Sequence, residues 1–422
     1  MVDALYFFLC RWFSLKKIAF LFFLIAPFLN FSIYPFHNQI KTIIGHVFFI
    51  VLFGGLIVSK IINLDFRFKV NQAFILFNVL IISLPVSILL APVPHIYSSQ
   101  FGIASMSSVF ITLEIWGTYF CCYQILTYRD VGRLVRAFYS SYVIALIGMI
   151  YNIYFPSHPG SIFRIASLMH DPNIFGLYLL MVALIAWIYL SRKFSPIHIV
   201  VLISALLLLV LTYSRSAMFF SLIFIPVAYF LVPIKIRKEL MIVSLVLILA
   251  LAGVFINSRL SKEARHLNMS NYSRLSTNIA TVNLLKDRFP FGVGYSNARY
   301  YLRKYQDTEY PIMDIVVVTH NVYIAILAEL GLWGIVIYFS FYLTCLWYLL
   351  RLYKRGNQET KHLSFLVISF ILIYLMFHLL YYYEFFHHLY YNVVLLALLL
   401  SGARYDSHLS MSNKSVQNVI PI

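Results

Sequence analysis

The chain has 422 residues, of which 62% are hydrophobic and 11% charged. A soluble domain is nearer half apolar and a quarter charged, so this chain needs lipid as its solvent. Its formal charge of +17 falls mostly in short gaps between apolar runs, a pattern that orients a membrane protein and argues against nucleic acid as a partner.

Apolar runs of about 18 residues or more read as helical spans. In chain order they are 18–35, 42–59, 72–91, 103–126, 134–155, 173–191, 196–212, 216–233, 240–257, 321–350, 362–381 and 385–401. The first follows Arg11, Lys16 and Lys17 and is long enough to be a retained helix instead of a cleaved signal. Twelve spans predict an all-α polytopic protein with both termini on one side. With the N-terminus in the cytoplasm, twenty basic residues fall in cytoplasmic segments, among them Arg129, Arg133, Arg136, Arg351 and Arg355. The short outer segments hold three: Lys41, Arg164 and Arg215. Short loops are where the positive-inside bias acts, so both termini are expected to be cytoplasmic. The organisation expected is nine spans over 1–257, an outer loop over 258–319, three spans over 320–403 and a cytoplasmic tail over 404–422.

Glu114 lies inside the fourth span, where a carboxylate is either functional or structurally paired. Before the sixth span stands Arg164, then Asp171-Pro172-Asn173. Asp171 or Asn173 is suited to cap that helix and Pro172 to open its first turn, with a ligand role for Arg164 or Asn173 as an addition. Arg215, in Thr212-Tyr213-Ser214-Arg215-Ser216-Ala217, sits at the outer mouth of a helix pair. Its guanidinium either forks a phosphate or snorkels to lipid headgroups.

The outer loop carries nine basic and five acidic residues, and loops of that length translocate despite charge. Within it, Leu275, Ile279, Val282 and Leu285 recur at helical spacing, which predicts an amphipathic helix over 272–288 along the membrane surface. Arg274 and Arg288 flank this helix, and Pro290-Phe291-Gly292-Val293-Gly294 ends it. Paired glycines let backbone approach a ligand or another helix closely. His320-Asn321 then opens the tenth span, with Gly331-Leu332-Trp333-Gly334 further on. There a histidine is either a base near neutral pH or part of a capping pair.

The clustering of Glu384, His387 and His388 is a weak metal pattern, since adjacent histidines point to different helix faces; no metal and no cofactor is expected. Cys10, Cys121, Cys122 and Cys345 read as small packing residues. A transporter or flippase needs polar side chains along a whole path, and only Glu114 and a few histidines, such as His46 and His378, are on offer. No internal repeat is visible, and the long loop follows the ninth span, unlike the two-halved twelve-helix transporters.

Asp171-Pro172-Asn173, Ser214-Arg215-Ser216-Ala217, and the run from Arg274 through Gly292-Val293-Gly294 to His320-Asn321 and Glu329-Leu330-Gly331-Leu332-Trp333-Gly334 resemble, in that order, the O-antigen ligase and O-antigen polymerase superfamily of bacterial membrane glycan transferases. The likeness covers roughly residues 160–340. It implies a metal-independent, inverting glycosyltransferase of GT-C-like architecture in the inner membrane, with its large loop in the periplasm. The donor would be an undecaprenyl-diphosphate-linked glycan. The acceptor would be another lipid-linked repeat unit in a polymerase, the reading preferred, or the lipid A core in a ligase. By the same resemblance Arg215 and Arg288 would hold the diphosphate and His320 would activate the acceptor, with Arg164, Asn173, Arg274 and Asn321 binding substrate. A chain-length regulator protein would be a further partner.

Overall fold

The computed structural model describes residues 14–28, 39–91, 98–154, 167–169, 171–192, 195–231, 253, 264–312, 319–379 and 388–402. Among these there are helices and turns but no strand. The helices are α1 (Leu15–Ile25), α2 (Gln39–Ile62), α3 (Gln72–Leu90), α4 (Ser98–Ile125), α5 (Val131–Tyr154), α6 (Pro172–Arg192), α7 (Pro196–Leu211), α8 (Arg215–Leu231), α9 (Ala264–Arg288), the short α10 (Ala298–Tyr301), α11 (Val322–Arg355), α12 (Gln358–His378) and α13 (His388–Ser401). Helices α1–α8 and α11–α13 overlap expected spans in position. The span expected over 240–257 lies outside the described residues apart from residue 253, as do Arg164 and the tail 404–422. Five helices (α3, α5, α6, α11 and α12) carry stretches long and apolar enough to cross a membrane.

Two helices form the centre. Every residue of α6 from Ile174 to Ile188 is buried, and so is every residue of α13 from Leu389 to Leu400. Helices apolar on all sides belong in such positions. The surrounding helices turn an apolar stripe outward instead. On α3 it runs through Ile75, Val79, Ile82, Val86 and Leu89; on α11 it runs through Leu332, Val336, Phe339, Leu343, Trp347 and Leu350, all exposed. Exposed stripes of that length are stable only against lipid.

Contacts join segments that the alternation of spans puts on the same side. Lys16 bonds Asp130 at 3.1 Å, Lys69 bonds the Leu126 carbonyl at 2.9 Å, and Arg192 bonds His362 at 2.8 Å. At the other end Arg215 meets Asn271, and Tyr295 of the outer loop donates its amide to Ser87 at the end of α3.

α11 is broken near its N-terminal end. Gly331 has φ 73° and ψ −166°, a backbone region open in practice only to glycine. The break deprives carbonyls of their helical donors, and a buried carbonyl must find another. Val293 N donates to Ala328 O and Gly294 N to Glu329 O, both at 2.8 Å, while Leu332 N donates to Pro290 O at 2.8 Å. The Pro-Phe-Gly-Val-Gly turn is thus stitched into the break. A Cβ on Gly292 would lie 2.6 Å from the Glu329 carbonyl oxygen, and one on Gly331 would collide with that of Pro290. Of the two uses of paired glycines, the close approach to another helix is the one found.

Candidate functional site

The site is built on α9. Asn271, Arg274, Asn278, Thr281 and Arg288 follow one another at spacings of three, four, three and seven, which puts them on one helical face. The helix starts at Ala264, earlier than the expected 272. The side of α9 packed against the protein is not the apolar one. Ser276, Thr277, Ala280, Thr281 and Leu284 are buried, whereas Leu275 and Val282 are exposed. Small and hydroxyl-bearing side chains allow close approach to α11, and the hydroxyls are satisfied locally: Thr277 and Thr281 bond back to carbonyls one turn earlier. Leu275 and Val282 are left facing outward, while Leu284 joins the buried side.

Each motif is held by a local device. Asp171 accepts the Asn173 amide at 2.6 Å, so Asp171 caps α6 and Pro172 opens it. Ser214 caps α8, accepting the Ala217 amide at 3.4 Å, and Arg215 is the first residue of that helix. Asn321 caps α11 through the amides of Tyr323 and Ile324, at 3.0 and 3.2 Å. Gly176 joins the first two motifs, because a Cβ there would stand 2.9 Å from those of Ser214 and Ala217. Asn173 and Arg215 therefore open neighbouring helices at the same level.

Three connections then bring distant residues to α9. Arg215 Nη2 donates to Asn271 Oδ1 at 3.2 Å. Thr319, the residue before His320, pairs its hydroxyl with that of Thr281 at 2.8 Å, with both residues buried. At the C-terminal end, burial first and then Asp287 hold the Tyr305 phenol above its usual pKa, while the charge of Arg288, and then its hydrogen bond, oppose them. Arg274 and Arg288 each lie seven residues from Thr281, about 10 Å along the helix, with His320 beside the midpoint.

The structure therefore brings His320, Arg274, Arg288 and Arg215 to one helix but not to one point. Asn271 and Arg288 are separated by about 25 Å of helix, so Arg215 and Arg288 stand at opposite ends of the row. Arg274 is the arginine nearer to Arg215, one turn from Asn271. Sequence reasoning singled out Arg288 but missed Asn278 and Arg299. Asn278 Oδ1 is enclosed with no hydrogen-bond partner among the described residues, and so are the Nε atoms of Arg288 and Arg299. Buried polar groups are ordinarily satisfied, and a row of exceptions marks a place for a polar ligand. The heptad-like step from Arg274 to Asn278 and Thr281 was the available signal for Asn278.

Glu114 is paired: its carboxylate meets His46 Nδ1 at 2.7 Å. His378 Nδ1 bonds the Tyr338 hydroxyl at 2.5 Å. The polar residues that a transport path would use are engaged with these partners. Glu384, His387 and the His388 side chain lie outside the described residues. No group of three metal-binding side chains occurs among the described residues.

Residues 199–339 match the O-Antigen ligase family. The chain is also similar to the teichuronic acid biosynthesis protein TuaE of Bacillus subtilis (strain 168), with 31% identity over 184 residues. That alignment takes in 40% of this chain and 37% of the relative's length. Together the two matches support the O-antigen ligase and polymerase superfamily. The family match runs from α7 to the outer half of α11 and so contains Arg215, Arg274, Arg288, His320 and Asn321.

Proposed function

We propose that this protein is a glycosyltransferase of the inner membrane that polymerises lipid-linked repeat units on the periplasmic face. The donor is a glycan on undecaprenyl diphosphate. The acceptor hydroxyl attacks the anomeric carbon, the bond from that carbon to the diphosphate oxygen breaks, and the proton passes to His320. One displacement inverts the anomeric centre. The leaving group is already a stable anion, so the site needs cations near it and no metal or strong acid.

The observation that carries this reading is the row on α9, where a half-buried histidine is seated between arginines by the Thr281–Thr319 pair. A diphosphate is far shorter than the row. We assign it to the Arg215–Arg274 end, where a helix N-terminus adds its favourable dipole. Arg288, with Arg299 nearby in sequence, is then left for the saccharide or the acceptor, and Asn173 for the mouth beside Arg215. The outward apolar residues of α9 rest at the headgroup level, so that a lipid carrier reaches the row from the bilayer and water is kept from the reacting carbon.

The family's description favours a second reading, in which the acceptor is the lipid A core and the enzyme is a ligase. The relative's name places that protein in the biosynthesis of another polysaccharide, teichuronic acid, without naming its step. Glycan profiles of a deletion strain separate them. A core bearing one repeat unit means polymerase; unsubstituted core with long lipid-linked polymer means ligase. Restoring the strain with Arg274→Ala or His320→Ala is expected to leave the deletion profile. Wild-type profiles from both variants, at normal membrane levels, would end the assignment.

A further inference from the structure

A second polar site lies at the far end of the bundle. A cleft of about 810 Å³ opens between the start of α5, the end of α11, the start of α12 and the end of α13. The unbroken part of α11 from Leu332 to Arg351, about 30 Å of helix, lies between it and the break beside the row on α9, so it belongs to neither that row nor the reaction proposed there. Five arginines line it (Arg129, Arg133, Arg136, Arg351 and Arg355), against one carboxylate, Glu359. Arg133 is partly answered by Asp130 at 3.7 Å, but Asp130 also takes Lys16 at 3.1 Å. The guanidinium of Arg351 lies 3.7 Å over the Trp347 ring, which fixes its place at the mouth. An excess of arginine over carboxylate in a concave site calls for an anion with several oxygens, the geometry that guanidinium forks match best.

The remainder of the lining identifies what carries the anion. Leu352, Leu363 and Leu400 form an apolar wall. The exposed stripe of α11 runs through Leu343, Trp347 and Leu350 to the cleft, so one face of the opening is continuous with the lipid-facing surface. Basic pockets between helices at the cytoplasmic level are recognised binding places for phosphate headgroups. We propose that the cleft binds the phosphate headgroup of an anionic membrane lipid, with Arg136, Arg351 and Arg355 around the phosphate and the acyl chains along the stripe of α11.

The test uses the full chain in nanodiscs of phosphatidylcholine, with phosphatidylglycerol or cardiolipin added and lipid retention read by native mass spectrometry. The wild type is expected to retain anionic lipid selectively. The triple variant Arg136→Gln/Arg351→Gln/Arg355→Gln should lose affinity by roughly fivefold per arginine, on the order of a hundredfold in all. Millimolar inorganic phosphate should not displace the lipid. Equal retention of phosphatidylcholine, an unchanged triple variant, or full displacement by phosphate would each overturn the proposal, the last by assigning the cleft to a soluble anion. Should the triple variant not fold, the lipid comparison and the phosphate competition on the wild type still decide.

Discussion

Asn321 spends its side-chain carbonyl on two helix amides, and this separates two roles that its sequence position leaves joined. If it only caps α11, Asn321→Asp should preserve both stability and glycan transfer. Asn321→Ala should cost about 1 kcal/mol, a fall of about 2 °C in the melting temperature of the purified protein. Loss of transfer in the Asp variant at unchanged melting temperature would show instead that its amide touches substrate. Gly331 allows a sharper expectation. Its φ of 73° and the Pro290 carbonyl against its Cα leave no room for a methyl group. Gly331→Ala should therefore destabilise by about 3 kcal/mol or more and detach the loop turn, exposing it to protease. Gly54, whose Cβ would meet open space, is the control, and Gly54→Ala should leave proteolysis unchanged.

At the scale of elements, the contact that matters is a single hydroxyl pair between α9 and the strand of chain entering α11. Thr281→Val keeps the volume but leaves the buried Thr319 hydroxyl without that partner, a cost of about 1–3 kcal/mol. Because Thr319 precedes His320, transfer should fall about a hundredfold if the displacement reaches 1 Å. The double variant Thr281→Val/Thr319→Val should recover part of the stability, and a double-mutant cycle on melting temperature and rate reads the coupling. Independent, additive effects would show that the pair does not position the histidine. The caps of α6 and α11 were legible in Asp171-Pro172-Asn173 and His320-Asn321, because capping is local chemistry. The break at Gly331 was not, since Leu330-Gly331-Leu332 continues an apolar run and the backbone partners lie some forty residues away. The packed face of α9 was hidden for a related reason. Apart from Leu284, its buried residues are alanine, serine and threonine, and the exposed Leu275 and Val282 draw a hydropathy reading to the opposite side. The placing of Arg215 and Arg288 at separate ends of α9 likewise follows from the Arg215–Asn271 bond, a tertiary contact without a local signal.

For the whole molecule, the two polar ends are fixed relative to each other by the length of α11. The unbroken part of α11 from Leu332 to Arg351 is about 30 Å long, which matches the roughly 30 Å hydrocarbon thickness of a bilayer. With α11 crossing the membrane, His320 before the break and the arginine-lined cleft at the far end open on opposite sides. The positive-inside bias predicts that the cleft faces the cytoplasm, since it gathers Arg129, Arg133, Arg136, Arg351 and Arg355 while short segments at the other end hold few cations. Cysteine labelling in intact cells checks this. Cys121, Cys122 and Cys345 are buried, so a Cys10→Ser background gives little native signal. Gln306, exposed in the loop after α9, and Asn357, exposed between α11 and α12, are suitable reporter positions. A membrane-impermeant maleimide should label Gln306→Cys directly and Asn357→Cys only after the inner membrane is opened. The reverse pattern would move the row on α9 into the cytoplasm, away from any periplasmic donor, while leaving its geometry and the charge of the cleft untouched.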